Sequence, residues 1–360
     1  MRILQVINSL ATGGAEKLLL DTVPKYIALG VTMDVLVLNA SPQPFLTALE
    51  KNKSIHVFNF GNGTVYNPFH AFRLISFIRR YDLLHVHLFP SLYWVAIAKL
   101  MTFSRTPLLF TEHNTSNRRR NNPIFKILDR IIYKRYRKII TISLEVDSAV
   151  KRHLGYNPKR FEFIQNGVPI NEIADATSAS HQEFSIPRKK KVLIQVSSFT
   201  QQKDQQTLIK AMVHLDNAIL LLVGEGTLLE GCRTLAAQLN LEDRVRFLGV
   251  RMDVPALLKM ADVIVLSTHF EGLSLSSIEA LASGKPLVAS NAPGLAPIVK
   301  DAGMLFAIGD EKELAEIVTT LFNSESLYLE VVNKCLARAQ QFSIEKMIEK
   351  HMDLYKQILQ

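Results

Sequence analysis

Residues 271–288 read Glu271-Gly-Leu-Ser-Leu-Ser-Ser-Ile-Glu279-Ala-Leu-Ala-Ser-Gly284-Lys-Pro286-Leu-Val. A β-branched run, Val263–Ser267, precedes them, and another short apolar run, Leu287–Ala289, ends them. Between the two runs, Leu275, Glu279 and Ala282 recur at helical spacing, and Gly284 and Pro286 stop the helix. The stretch is a strand–helix–strand unit, with Glu271 in the strand-to-helix loop and Glu279 on the helix. Two glutamates eight apart are common, and a solvated loop acid with a helix-surface carboxylate is the bland reading. Glu279, however, shares a face with Leu275 and Ala282, which pack inward. A carboxylate held there needs hydroxyl or amide partners, because burying it bare is costly.

Outward from this unit the same alternation fills the chain. Strands are expected at Val192–Ser197, Ile219–Val223, Val245–Leu248 and Met304–Phe306 around it. An earlier series is expected at Ile3–Ile7, Met33–Leu38, Ser54–Phe58, Leu83–His87, Leu108–Thr111, Lys138–Ile142 and Phe161–Gln165. Helical periodicity separates the strands, so each series reads as a doubly wound parallel sheet. The first series stops at Asn166-Gly167-Val168-Pro169. The expected domains are 1–170 and 190–342, joined by a linker over 171–189, with the helix of 343–360 packing back on the first domain. A length of 360 residues suits two such cores.

Composition narrows the function classes. With 48% apolar and 21% charged residues the chain is globular rather than disordered. Cys232 and Cys335 are too few for a disulfide framework and read as reduced thiols. The N-terminus lacks a signal-peptide core, and the most apolar stretch, 83–103, is broken by His85, His87, Pro90 and Lys99, so a soluble cytoplasmic protein is expected. Charge is uneven: residues 1–172 hold 23 Lys and Arg against 11 Asp and Glu, a net +12, and residues 173–360 hold 19 against 22, a net −3. One half is therefore expected to face an anionic surface. No zinc-finger spacing or RNA-binding sheet motif points to nucleic acid.

Ligands of such sheets bind where strands end and helices begin. After the first strand comes Thr12-Gly13-Gly14-Ala15-Glu16, where two glycines admit a close ligand. It is not a G-x-G-x-x-G fingerprint, and a plain tight turn reads equally well. His113 follows the strand Leu108–Thr111 at the carboxyl edge, a functional position. His85 and His87 share one strand face and read as hydrogen-bonded, structural histidines. Over residues 118–138 a basic run (Arg118, Arg119, Arg120, Lys126, Arg130, Lys134, Arg135, Arg137, Lys138) is opposed only by Asp129. Its stripe of Ile124, Ile127, Leu128, Ile131 and Ile132 is expected to face the core, leaving a basic outer face for an anionic surface such as lipid.

The Glu271–Pro286 segment resembles the Glu-x7-Glu signature of the retaining glycosyltransferases of family 4. Gly-Gly-Ala-Glu at 13–16, Glu-His-Asn at 112–114, Asn-Gly-Val at 166–168, Lys203-Asp204 and Val-Gly-Glu-Gly at 223–226 follow the same order. Phe342-Ser343-Ile344-Glu345-Lys346 is similar to members that build capsule, exopolysaccharide or lipopolysaccharide. The resemblance implies a GT-B fold, two Rossmann-like domains facing a central cleft, and a hexosyltransferase-type enzyme (EC 2.4). It implies that Glu279 takes the ribose hydroxyls and Lys203 the diphosphate of a UDP- or GDP-sugar. Glu271, with the backbone of Gly272, Leu273, Ser274 and Leu275, would hold the donor sugar and phosphate. Gly13 and Gly14 would close over the phosphates, and His113 would reach the donor sugar. Front-face transfer to a glycan or lipid-linked acceptor is implied, at the inner face of the cytoplasmic membrane.

No Asp-x-Asp triplet occurs, so neither metal nor cofactor is expected. The family's usual Arg five residues before the Lys is Ser198 here, which cannot form a guanidinium fork. Pro297 stands where a Glu is common. A nucleotide-sugar epimerase and a catalytically impaired binding protein or partner subunit are the alternatives.

Overall fold

The computed structural model describes residues 1–114, 120, 122–154 and 160–360. Contacts divide the chain into two units, 1–166 with 344–360, and 167–343. Arg118 and Arg119 lie outside the described residues.

The first unit holds seven strands: β1 (Arg2–Ile7), β2 (Thr32–Val37), β3 (Val57–Asn59), β4 (Leu83–His87), β5 (Leu108–Glu112), β6 (Lys138–Thr141) and β7 (Phe161–Phe163). All pair in parallel in the order β3-β2-β1-β4-β5-β6-β7. The order reverses between β1 and β4, where crossovers pass to opposite faces and leave a crevice at the strand ends. Leucine, isoleucine and valine fill these strands because helices cover both faces. Gln5, in the middle of β1, is buried nonetheless, and lies opposite His85 of β4.

The second unit repeats the plan with β8 (Lys191–Val196), β9 (Ala218–Val223), β10 (Val245–Gly249), β11 (Val263–Leu266), β12 (Leu287–Ser290) and β13 (Met304–Phe306). Their order is β10-β9-β8-β11-β12-β13, with the reversal between β8 and β11. The strands fall within a few residues of the expected runs. The segment expected to be a linker differs. Ile170, Ile173 and Ile186 are buried in the second unit's core, and a short helix, Ile170–Ala174, forms there. The segment's polar Ala and Ser content hid Ile173 and Ile186, and Ile170 lies just before the segment. The helix Ile344–Leu359 belongs to the first unit, where Met347, Ile348, Leu354 and Tyr355 are buried.

The basic helix, Pro123–Tyr133, is a correction. Its inward face carries Asp129, Ile132 and Tyr133, whereas Ile124, Ile127, Leu128 and Ile131 are exposed, Ile124 by 67% and Ile127 by 61%. Asp129 accepts hydrogen bonds from Tyr93 (2.6 Å) and His153 (2.7 Å), so a buried polar cluster holds the helix down. The apolar stripe faces out. Among the described residues no helix is long and apolar enough to cross a membrane.

Candidate active site

In the second unit, β8 and β11 flank the reversal point, and the loops after them fold onto each other. The backbone of Lys203 bridges Thr268, and His269 N–H donates to the Gln202 carbonyl at 2.9 Å. Asp204 starts the helix Gln205–Ala211 by accepting from Thr207 N–H (3.2 Å), and its other oxygen accepts from the Ser267 hydroxyl (3.2 Å). This strapping delivers Lys203 to the β11 loop. Its ammonium forms an ion pair with the Glu271 carboxylate, both side chains being largely buried. The other Glu271 oxygen accepts from Gln202 Nε2 at 3.0 Å.

Two glycines make the loops fit. Gly294 has φ +78, and a Cβ there would lie 2.0 Å from the Glu271 carbonyl. Gly224 has φ +133, and a Cβ there would lie 2.2 Å from the Ser197 carbonyl. Only glycine meets both the left-handed backbone and the close approach. Glu271 N–H donates to the Pro293 carbonyl at 2.8 Å, which fixes the loop from the other side.

Ser274 caps the helix Leu275–Ala282, its hydroxyl accepting from Ser277 N–H at 3.3 Å. The first turn of a helix has N–H groups without intrahelical acceptors and a partial positive charge. Gly272 and Leu273 precede that turn and Leu275 begins it. Glu279 is buried on the same helix, as its face predicts. Lys203, Glu271 and a helix N-terminus are thus together, a cation, an anion and amide donors suited to a phosphorylated, hydroxyl-rich ligand. Ser198 is exposed, and its carbonyl accepts from Gln205 Nε2 at 2.9 Å. Gln202, which orients Glu271, was not singled out from the sequence; its only signal is adjacency to Lys203.

In the first unit, Gly13 caps the helix Gly14–Ala28, and the Glu16 carboxylate folds back so closely that a Cβ on Gly13 would meet it at 2.3 Å. Burial raises the Glu16 carboxyl to about 7. His113 follows β5. Its Nε2 lies 3.1 Å from His87 Nδ1, and His87 Nε2 lies 2.8 Å from Gln5 Oε1. His85 joins Thr111 (2.7 Å) and Tyr355 (2.7 Å), and Tyr26 joins His351. Burial holds these imidazoles neutral: His85 and His87 titrate well below the usual range, His113 near 4 and His351 near 3. His85 and His87 are the hydrogen-bonded histidines expected, but His87 also touches His113. Glu112 of Glu-His-Asn is an anchor, accepting from Tyr133 (2.7 Å) and pairing with Arg120 (2.9 Å).

Two family models match, the glycosyltransferase family 4 domain over residues 12–172 and the glycosyl transferases group 1 domain over 177–341. Together they take in both units. The chain belongs to the family 4 glycosyltransferases. This glycosyltransferase is 27% identical over 291 residues to the N-acetyl-alpha-D-glucosaminyl L-malate synthase of Bacillus anthracis, covering 77% of this chain and 75% of that one. It is 25% identical over 244 residues to the UDP-Gal:alpha-D-GlcNAc-diphosphoundecaprenol alpha-1,3-galactosyltransferase of Escherichia coli, covering 64% and 63%. A crystal structure of Anabaena Alr3699/HepE with UDP and glucose matches with a TM-score of 0.86 at 24% identity, covering 99% of each chain. At that identity the likeness concerns the GT-B fold.

Proposed function

We propose that this glycosyltransferase is a retaining, metal-independent enzyme that moves a hexosyl group from a UDP- or GDP-sugar onto a glycan or lipid-linked acceptor. The observation that carries the reading is the joining of Lys203 and Glu271 before the helix that holds Glu279. A departing nucleoside diphosphate gathers negative charge, which fixed cations and amide donors stabilise best in a dry site. Lys203 trades its Glu271 partner for the diphosphate, and Glu271, still held by Gln202, turns its oxygens to the sugar hydroxyls. Glu279 receives the ribose. Gly272, Leu273, Ser274 and Leu275 supply backbone donors. Gly13 and Gly14 meet the phosphates, and His113 meets the sugar. The acceptor hydroxyl attacks from the leaving-group side and passes its proton to the departing phosphate, so anomeric configuration is kept.

Relatives acting on diphosphoundecaprenol-linked sugars, in Escherichia coli and Campylobacter jejuni, favour a lipid-linked acceptor in cell-surface polysaccharide or lipopolysaccharide synthesis. The outward stripe of the helix Pro123–Tyr133, beside exposed Lys126, Arg130, Lys134 and Arg135, supports docking on an anionic bilayer from the cytoplasmic side. A thermal-shift screen with UDP, GDP and their sugars tests the donor assignment, since a ligand of the native state raises its midpoint. Wild type should respond and Glu279→Ala should not. No response to any of them would sink the reading. NMR of the product's anomeric proton tests retention. Donor binding without turnover would favour an impaired binding protein, which Ser198 in place of arginine motivates.

A further inference from the structure

We infer that Gln5 and His87 are positioning residues that fix the tautomer of His113, leaving its Nδ1 as a bare acceptor. Gln5 Nε2 lies 3.5 Å from the Met33 sulfur and 3.4 Å from the Tyr355 hydroxyl. A thioether has no proton to give, so the amide NH2 faces it and the amide oxygen faces His87. That oxygen only accepts, so His87 carries its proton on Nε2, 2.8 Å away. A neutral imidazole has one N–H, and His87 Nδ1 is therefore bare. At 3.1 Å it accepts from His113 Nε2, which must carry the proton of that ring.

His113 is left with a bare Nδ1, and no partner for that atom is found among the described residues. An acceptor of this kind takes a hydrogen bond from a hydroxyl and repels a second acceptor. It fits a sugar hydroxyl better than a phosphate oxygen. Every group in the relay is in the first unit: Gln5 and Met33 on β1 and β2, His87 on β4, and His113 just after β5. Burial of the ring pair supports neutrality, since charging either would require desolvating an imidazolium. The recipient of the acceptor, a donor-sugar hydroxyl, rests on the function proposed above; the relay itself does not.

Long-range 1H–15N correlation spectra of ligand-free protein labelled on histidine test the relay directly, because the two imidazole tautomers have distinct nitrogen shifts. We expect His113 to show a protonated Nε2 and a bare Nδ1. In Gln5→Met, which keeps the volume and removes the oxygen, His113 should become a mixture of tautomers. A His113 protonated on Nδ1 in wild type overturns the inference even if the variant fails to fold. So does an unchanged His113 signature in a folded Gln5→Met protein. A purely structural glutamine would shift the melting midpoint without altering a ring two hydrogen bonds away. Full transfer activity in His113→Ala, with the expected tautomer in wild type, would leave the relay standing and remove the sugar contact.

Discussion

Lys203 and Glu271 hold each other, and this decides what their substitutions do. Lys203→Ala removes the only side-chain cation paired at the loop among the described residues, while Gln202 still orients Glu271. We expect turnover to fall by about 100-fold or more, the effect of losing one fixed charge stabiliser in a water-poor site. Ser198→Arg, at an exposed position, should leave activity intact or raise it. Near-normal turnover in Lys203→Ala would show that another cation meets the diphosphate. Glu271→Gln should lower kcat more than it weakens donor binding, and Glu279→Ala the reverse, because ribose is held equally in the ground and transition states. Turnover and donor titration of the two variants check the split. At this scale the sequence carried much. The order of motifs marked Glu271, Glu279 and Lys203, and strand ends placed His113. Gln202 and Gln5 stayed hidden because an amide inside or beside a strand has no periodic signature, and its role depends on partners remote in sequence.

The helix Pro123–Tyr133 shows where periodicity stops being informative. Its stripe of isoleucines is visible from the spacing, but spacing does not say which way a stripe points. Tyr133 bonded to Glu112 and Asp129 bonded to Tyr93 and His153 decide that, and all are tertiary contacts. Arg120, expected on the basic face, is buried against Glu112. Membrane attachment should then have two components. Each basic residue near anionic lipid contributes about 1 kcal/mol, screened by salt. Each of the four outward apolar chains, already partly covered, adds on the order of 1 kcal/mol that salt does not screen. In liposome co-sedimentation, Lys126, Lys134 and Arg135 changed together to Gln should weaken binding at low salt only. Ile124, Ile127 and Ile131 changed together to Ser should weaken it at low salt and in about half-molar salt alike. Complete release of wild type by salt would mean that the stripe stays out of the bilayer.

Across the whole molecule the two units share a plan but divide their chemistry. The carboxylate and lysine pair is in the second unit, while the first holds four neutral imidazoles and most of the positive charge. That division makes the first unit sensitive to acid. His85, His87, His113 and His351 all titrate below the ordinary range, chiefly through burial, with neighbouring histidines adding to it for all but His113. In the unfolded chain they would take up protons near 6.5. Their contribution to stability is therefore complete above about 6.5 and is lost as pH falls from there toward the folded values, at about 1.4 kcal/mol per pH unit for each ring. Glu16 acts oppositely. Its carboxyl, raised to about 7 by burial, stabilises the fold below the usual carboxylate range and loses that effect as pH rises through 7. Four groups against one leave a net loss of stability as pH falls from about 6.5 toward 5. Urea titrations at pH 7.5, 6.5 and 5.5 should show the transition of the first unit moving to lower urea before ordinary carboxylates titrate. His351→Gln removes one ring and its electrostatic effect on His85 and His87, and should flatten that dependence. A midpoint that does not move between pH 7.5 and 5.5 would mean that water reaches the imidazoles and that the network is not closed.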